Sequence, residues 1–110
     1  MSERISIKDF QKMDIRVGRV LKAERIPGTE KLIRLEVDIG EERPRQLVAG
    51  VADYYTPEEL LGKNIVVLAN LEAKKIRGVV SNGMLLAADV NGRPYILTVD
   101  DEVPPGSPVR

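Results

Sequence analysis

A chain of 110 residues, 43% hydrophobic and 31% charged, is long enough for one domain and too apolar for disorder; its longest apolar runs, such as Met84 to Ala88, are far too short to span a bilayer. Lys plus Arg and Asp plus Glu both number 17, so the net charge is zero and any attraction for a charged partner must come from local clusters. Neither Cys nor His occurs, which removes the commonest zinc ligands, the usual general base at neutral pH and every Ser-His or Cys-His nucleophile pair.

The stretch Met1 to Phe10 carries scattered charges and no apolar h-region, so export is not expected, and the lack of cysteine fits the cytoplasm. One domain is expected over residues 1–110. From Ile15 to Leu21 the apolar positions alternate imperfectly around Gly18, which reads as a first strand with a bend or bulge at the glycine. Pro27-Gly28 marks a turn. Leu35, Val37 and Ile39 alternate with Glu36 and Asp38 as a half-buried strand ending at Gly40, and Gln46 to Val51 supplies a third.

Thr56-Pro57-Glu58-Glu59 announces the one clear helix: Thr56 caps it, Pro57 fits the first helical position, Glu59 completes a capping box and Gly62 ends it. Leu60 and Leu61 are its candidate core residues. Ile65 to Ala69 reads as a short buried strand, Val79 to Ala88 as a run broken at Asn82-Gly83, and Tyr95 to Val99 as a last strand. Three strands, a short helix and further strands is the order of an all-β OB-fold, a five-stranded Greek-key barrel with the helix between strands 3 and 4 and short terminal extensions. On order alone, a small barrel of the SH3 type is the alternative, and the OB-fold is favoured over it.

The acidic pairs Glu41-Glu42, Glu58-Glu59 and Asp100-Asp101 fall in expected turns or at the helix start, where solvated surface is the ordinary reading, so no catalytic residue, metal or cofactor is expected. Basic residues form three groups: Lys74, Lys75 and Arg77; Arg16, Arg19, Lys22 and Arg25; and Lys31 with Arg34. Phe10, Tyr54, Tyr55 and Tyr95 are the only aromatics, too few for extensive stacking on single strands. Cations with few rings suit a surface that reads the shape and phosphates of folded RNA.

Asp14-Ile15-Arg16-Val17-Gly18, Pro27 with Glu30-Lys31-Leu32, Gln46 to Gly50 and Leu61-Gly62-Lys63 are mainly structural signatures, whereas Asn70-Leu71, Lys74-Lys75, Arg77-Gly78-Val79, Ser81 and Gly83 to Ala87 form the most specific segment. Together they resemble the small tRNA-binding domain appended to methionyl-tRNA synthetases, also found as a free-standing structure-specific tRNA-binding protein. The resemblance covers almost the whole chain. It implies an OB-fold and a non-catalytic module that binds tRNA through Lys31, Arg34, Asn70, Lys74, Lys75, Arg77, Ser81 and Met84, with Arg45 a weaker addition. In that set the Lys and Arg side chains bind phosphates, Asn70 and Ser81 bond ribose or an exposed base, and Met84 supplies apolar contact.

The resemblance also implies a homodimer, with Ile5, Ile7, Phe10 and Met13 at one apolar edge and Val103 and Pro104 at another, and a methionyl-tRNA synthetase catalytic subunit as a further partner. Glu72 and Ala73 stand where relatives commonly have Lys and Pro, and Pro27 to Thr29 differs from their His-Pro turn. A secretion-related branch of the family implies the alternative of a chaperone-like peptide binder, which an exposed apolar groove would favour. Closer similarity to the synthetase version in Lys31-Leu32 and Tyr55 to Leu60 favours tRNA.

Overall fold

The computed structural model describes residues 3–110. The elements, in chain order, are α1 (Ile7–Gln11), β1 (Ile15–Arg25), β2 (Ile33–Asp38), β3 (Arg45–Ala49), α2 (Pro57–Leu60), β4 (Asn64–Leu68), β5 (Lys74–Ile76), β6 (Val79–Ser81), β7 (Met84–Leu85), β8 (Ala87–Val90) and β9 (Arg93–Ile96). Five strands make one antiparallel sheet in the order β3-β2-β1-β4-β7, while β5-β6 and β8-β9 are separate hairpins. Hydrogen bonds between β3 and the β6–β7 segment, donated from both sides, bring the two edges together, so the sheet is a nearly closed OB-type barrel.

The 11-residue β1 makes this curl possible, because its first half pairs with β4 and its second half with β2; only Arg19 is paired to both, facing Asp38 and Asn64. The bulge lies between Val20 and Lys22, not at Gly18, whose pairing with Ile65 is regular. Gly18 serves close approach instead. A β-carbon there would stand 2.5 Å from Val37 Cγ1 and 3.1 Å from Ile39 Cγ2, so only a bare backbone lets β2 fold over β1.

β2 alternates without fault, with Ile33, Leu35 and Val37 inward, and these meet Val20, Leu47, Ile65 and Val67 in the barrel interior. At one end Leu60 of α2 plugs the barrel and is fully buried, a burial that stabilises the fold by about 1.5–3 kcal/mol. The expected capping box is present: Glu59 N–H donates to Thr56 Oγ1 at 3.1 Å, and Thr56 N–H donates to Glu59 Oε1 at 2.9 Å. Leu61, an expected core residue, is exposed, since Gly62 reverses the chain and its N–H donates to the Val20 carbonyl.

Three other expectations need correction. α1 precedes the barrel, capped by Ser6, whose hydroxyl accepts from Asp9 N–H; it buries no residue, so it has no apolar periodicity by which to find it. The run Val79 to Ala88 breaks at Asn82-Gly83 as expected but also at Leu86, which divides it among β6, β7 and β8. The last strand begins at Arg93, not Tyr95, and ends at Ile96, because Asn91 and Gly92 both take positive φ and form a two-residue turn that fixes the register. Beyond it the chain returns to β1: Val17 N–H donates to the Ser107 carbonyl, Gly106 N–H to that of Val17, and Val109 N–H to that of Ile15. Among the described residues no helix is long and apolar enough to cross a membrane.

Candidate nucleic-acid interface

β5 and β6 form a ribbon that stands on the closed edge of the barrel. Its tip is Arg77-Gly78, with φ of 52° and 80°, the pattern of a type I′ turn. Asn or Gly is the ordinary occupant of the first position, so an arginine held there carries a conformational cost of about 1 kcal/mol. Lys74, Ile76, Val79 and Ser81 share the ribbon face turned to the barrel, and Lys75 shares the outer face with Val80. The two ammonium groups therefore reach opposite sides of the ribbon, and the guanidinium extends from its end.

Facing the tip is the Gly28–Leu32 turn. Between them lies an open cleft of about 470 Å³, lined by Thr29, Glu30, Lys31, Leu32 and Arg77. Lys31, Lys74, Lys75 and Arg77 are all exposed, and among the described residues none of them is held in an ion pair. Met84 is 45% exposed on β7.

The remaining expected RNA contacts are committed inside the chain. The Arg34 side chain is 18% exposed and bonds Glu24 at 2.6 Å, Glu36 at 3.1 Å and Gln46 at 3.0 Å. Arg45 grips Glu41 with two bonds and donates through one nitrogen to the carbonyls of Ala69 at 2.7 Å and Asn82 at 2.9 Å. Asn70 accepts from Asp14 N–H and donates to the Lys12 carbonyl, pinning the segment that precedes β1. Ser81 is buried; its hydroxyl accepts from Val48 N–H at 2.9 Å and donates to the Gly83 carbonyl at 3.1 Å. These four hold the ribbon and its surroundings in place, since their polar groups are already satisfied. Arg16 and Arg19 of the first-strand group are likewise paired, with Asp14 and Glu102.

Of the expected dimer residues, Ile5, Ile7 and Met13 are exposed and Phe10 is half-buried. Ile7, Phe10 and Met13 line a cleft of about 340 Å³ with Ile15, Pro108 and Val109. Val103 and Pro104 do not line it, because they precede the turn that brings the C-terminal residues back to β1. Arg93, which belongs to none of the three basic groups evident in the sequence, lies over the rings of both Tyr54 and Tyr95. Period-two spacing places Arg93 and Tyr95 on one strand face, but nothing local pairs them with Tyr54.

The paired carboxylates set an acid response. Asp14, Glu24 and Glu41 are held below their ordinary values, first by hydrogen bonds from Arg16, Arg34 and Arg45 respectively. A depressed folded-state pKa contributes stability that is fully present above the unfolded value, near pH 4, and is lost as pH falls through the folded value. Thermal melts are expected to be level from about pH 7 to 5 and to decline below about pH 4, modestly because the carboxylates face solvent. Glu24→Gln with Glu41→Gln should flatten that decline; an unchanged acid profile would refute the assignment.

The family model described as "Putative tRNA binding domain" matches residues 15–108. The methionine–tRNA ligase of Archaeoglobus fulgidus is 58% identical over 107 residues, covering 97% of this chain and 16% of that protein. The corresponding ligase of Thermotoga maritima is 52% identical over 105 residues, covering 96% of this chain and again 16% of that protein. Among solved structures, the MetRS related protein from Pyrococcus horikoshii gives a TM-score of 0.92 at 44% identity, covering 99% of this chain and 100% of that one. Chaperone CsaA from Bacillus anthracis gives 0.88 at 32% identity, covering 98% of this chain and 100% of that one. The chain thus spans 16% of these two curated ligases and the full length of the two solved chains. On a family match that runs from the first strand to the C-terminal return, the chain belongs to the tRNA-binding domain family.

Proposed function

We propose that the chain is a single non-catalytic unit over residues 1–110 that binds folded tRNA by its shape and phosphates and works beside a methionyl-tRNA synthetase catalytic subunit in the cytoplasm. The observation that carries this reading is the group of uncommitted cations: Lys31 and Arg77 line the open cleft between two facing turns, and Lys74 and Lys75 stand exposed on the strand that leads to Arg77. Neighbouring arginines are neutralised within the fold; these four are left for an external anion. Phosphate is the anion a folded RNA presents along its whole surface, and contacts to it orient the protein without reading sequence. A symmetric dimer through the Ile7, Phe10 and Met13 cleft would double the basic surface.

The test is fluorescence anisotropy with several intact tRNAs of different anticodon, and with an extended apolar peptide. Similar affinities for all tRNAs, falling steeply with salt, are expected. Salt-insensitive binding of the peptide with no binding of tRNA would overturn the proposal in favour of the chaperone-like reading, which the structural likeness to CsaA supports at lower identity.

A further inference from the structure

We propose that Tyr54, Arg93 and Tyr95 form a stacking site for one unpaired nucleobase of the bound RNA; this rests on the RNA-binding reading above and adds base contact to a surface otherwise built for phosphate. The Arg93 guanidinium carbon lies 4.7 Å from the centroid of the Tyr95 ring and 5.3 Å from that of Tyr54. Three planar groups from two separate segments are thus gathered into one cluster on the outside of the barrel. The cation fixes both rings, so little freedom remains to be lost when a ligand stacks on them.

Exposure and satisfaction point the same way. Tyr54 and Tyr95 are 43% and 44% exposed, so each ring keeps a large share of its surface in solvent. Tyr55 differs: it is half-buried and its hydroxyl accepts from Ile96 N–H, which makes it the structural member of the three tyrosines. Among the described residues the Tyr54 and Tyr95 hydroxyls and the Arg93 guanidinium make no hydrogen bond or ion pair, in contrast to the guanidinium groups of Arg16, Arg34 and Arg45.

The cluster also adjoins the phosphate cleft. Ala52 N–H donates to the Lys31 carbonyl at 3.0 Å, and Tyr54 is two residues further along, so its Cα lies within roughly 7 Å of that of Ala52. A strand leaving Lys31 can therefore reach the rings. Exposed Asp53, next to Tyr54 in the chain, opposes a phosphate beside the rings, which favours the neutral base as the part of a nucleotide that stacks there. Base stacking on aromatic rings and on arginine planes is how unpaired RNA bases are gripped.

Two labelled probes test this: intact tRNA and an oligoadenylate of about eight nucleotides, titrated against wild type, Tyr54→Leu/Tyr95→Leu and Tyr54→Phe/Tyr95→Phe. The Leu pair should bind oligoadenylate at least about tenfold more weakly, with an unchanged salt slope because no phosphate contact is lost, and the Phe pair should bind like wild type. Equal binding by the Leu pair, at wild-type melting temperature, overturns the stacking site while leaving tRNA binding by the cations intact. A Leu pair that changes sedimentation mass without changing RNA affinity also overturns it and makes the cluster a self-association face. Failure of wild type to bind tRNA would instead remove the underlying RNA reading.

Discussion

Replacing Lys74 and Lys75 with Ala and Arg77 with Asn is expected to leave a folded barrel that binds every tRNA about 10²- to 10³-fold more weakly at 0.1 M salt, the effect of losing about three phosphate contacts. The slope of log affinity against log salt should fall by roughly two to three units for the same reason. Uniform loss across tRNAs is part of the expectation, as phosphates are common to all of them. Asn is chosen at position 77 because it tolerates the positive φ of the turn, so the ribbon keeps its shape and the variant is no less stable than wild type. A variant with wild-type affinity and slope would move the RNA site away from the ribbon. Loss of stability together with loss of binding would show the cations to be structural.

Gly106→Ala is expected to be among the most damaging single-methyl changes available to this chain. Its φ is +90°, and a β-carbon would stand 2.7 Å from the Ile39 carbonyl oxygen and 2.8 Å from Gly40 Cα. Both obstacles are backbone, so neither can swing aside. Strain and overpacking together should cost about 3–5 kcal/mol, or roughly 10–30 °C in melting temperature for a domain of this size. The C-terminal return would detach, taking the hydrogen bonds to Ile15 and Val17 and one wall of the Phe10 cleft with it. Gly50→Ala is the control: its nearest neighbour is Leu32 Cδ2 at 4.0 Å, and near-neutral stability is expected. A Gly106→Ala protein melting with the control would refute the packing described here.

Much of the barrel is legible in the chain because its signals are local. The capping box at Thr56, the alternation through Leu35 to Ile39 and the turn glycines each carry their meaning within a few residues, and each is found where the sequence places it. Gly18 shows the limit. A mid-strand glycine announces something unusual, yet whether it bends the strand or admits a neighbour depends on β2 lying across it. The cations divide in the same way. Lys74, Lys75 and Arg77 are adjacent and legible as a group, but nothing near Arg34 or Arg45 in sequence announces a partner as distant as Gln46 for one or the Ala69 and Asn82 carbonyls for the other. Register across the sheet decides which arginines are free, and register is a property of the whole barrel. The burial of Ser81 has the same cause, its hydroxyl accepting from Val48 N–H on a strand that comes much earlier in the chain.

The grip of Arg45 on the Ala69 and Asn82 carbonyls gives the projecting ribbon the character of an interchangeable cassette. Both ends of the segment between those residues are held by one side chain, itself braced by Glu41, so the entropy of closing the loop is supplied by the barrel and depends only weakly on what the loop contains. Residues 71–80 can then drift in sequence, gain a residue or exchange their charges while the strands beneath keep their stability. A scaffold of this kind separates the evolution of what it recognises from the evolution of how it folds, and lets one barrel acquire new nucleic-acid or protein ligands by rewriting a single short stretch of chain.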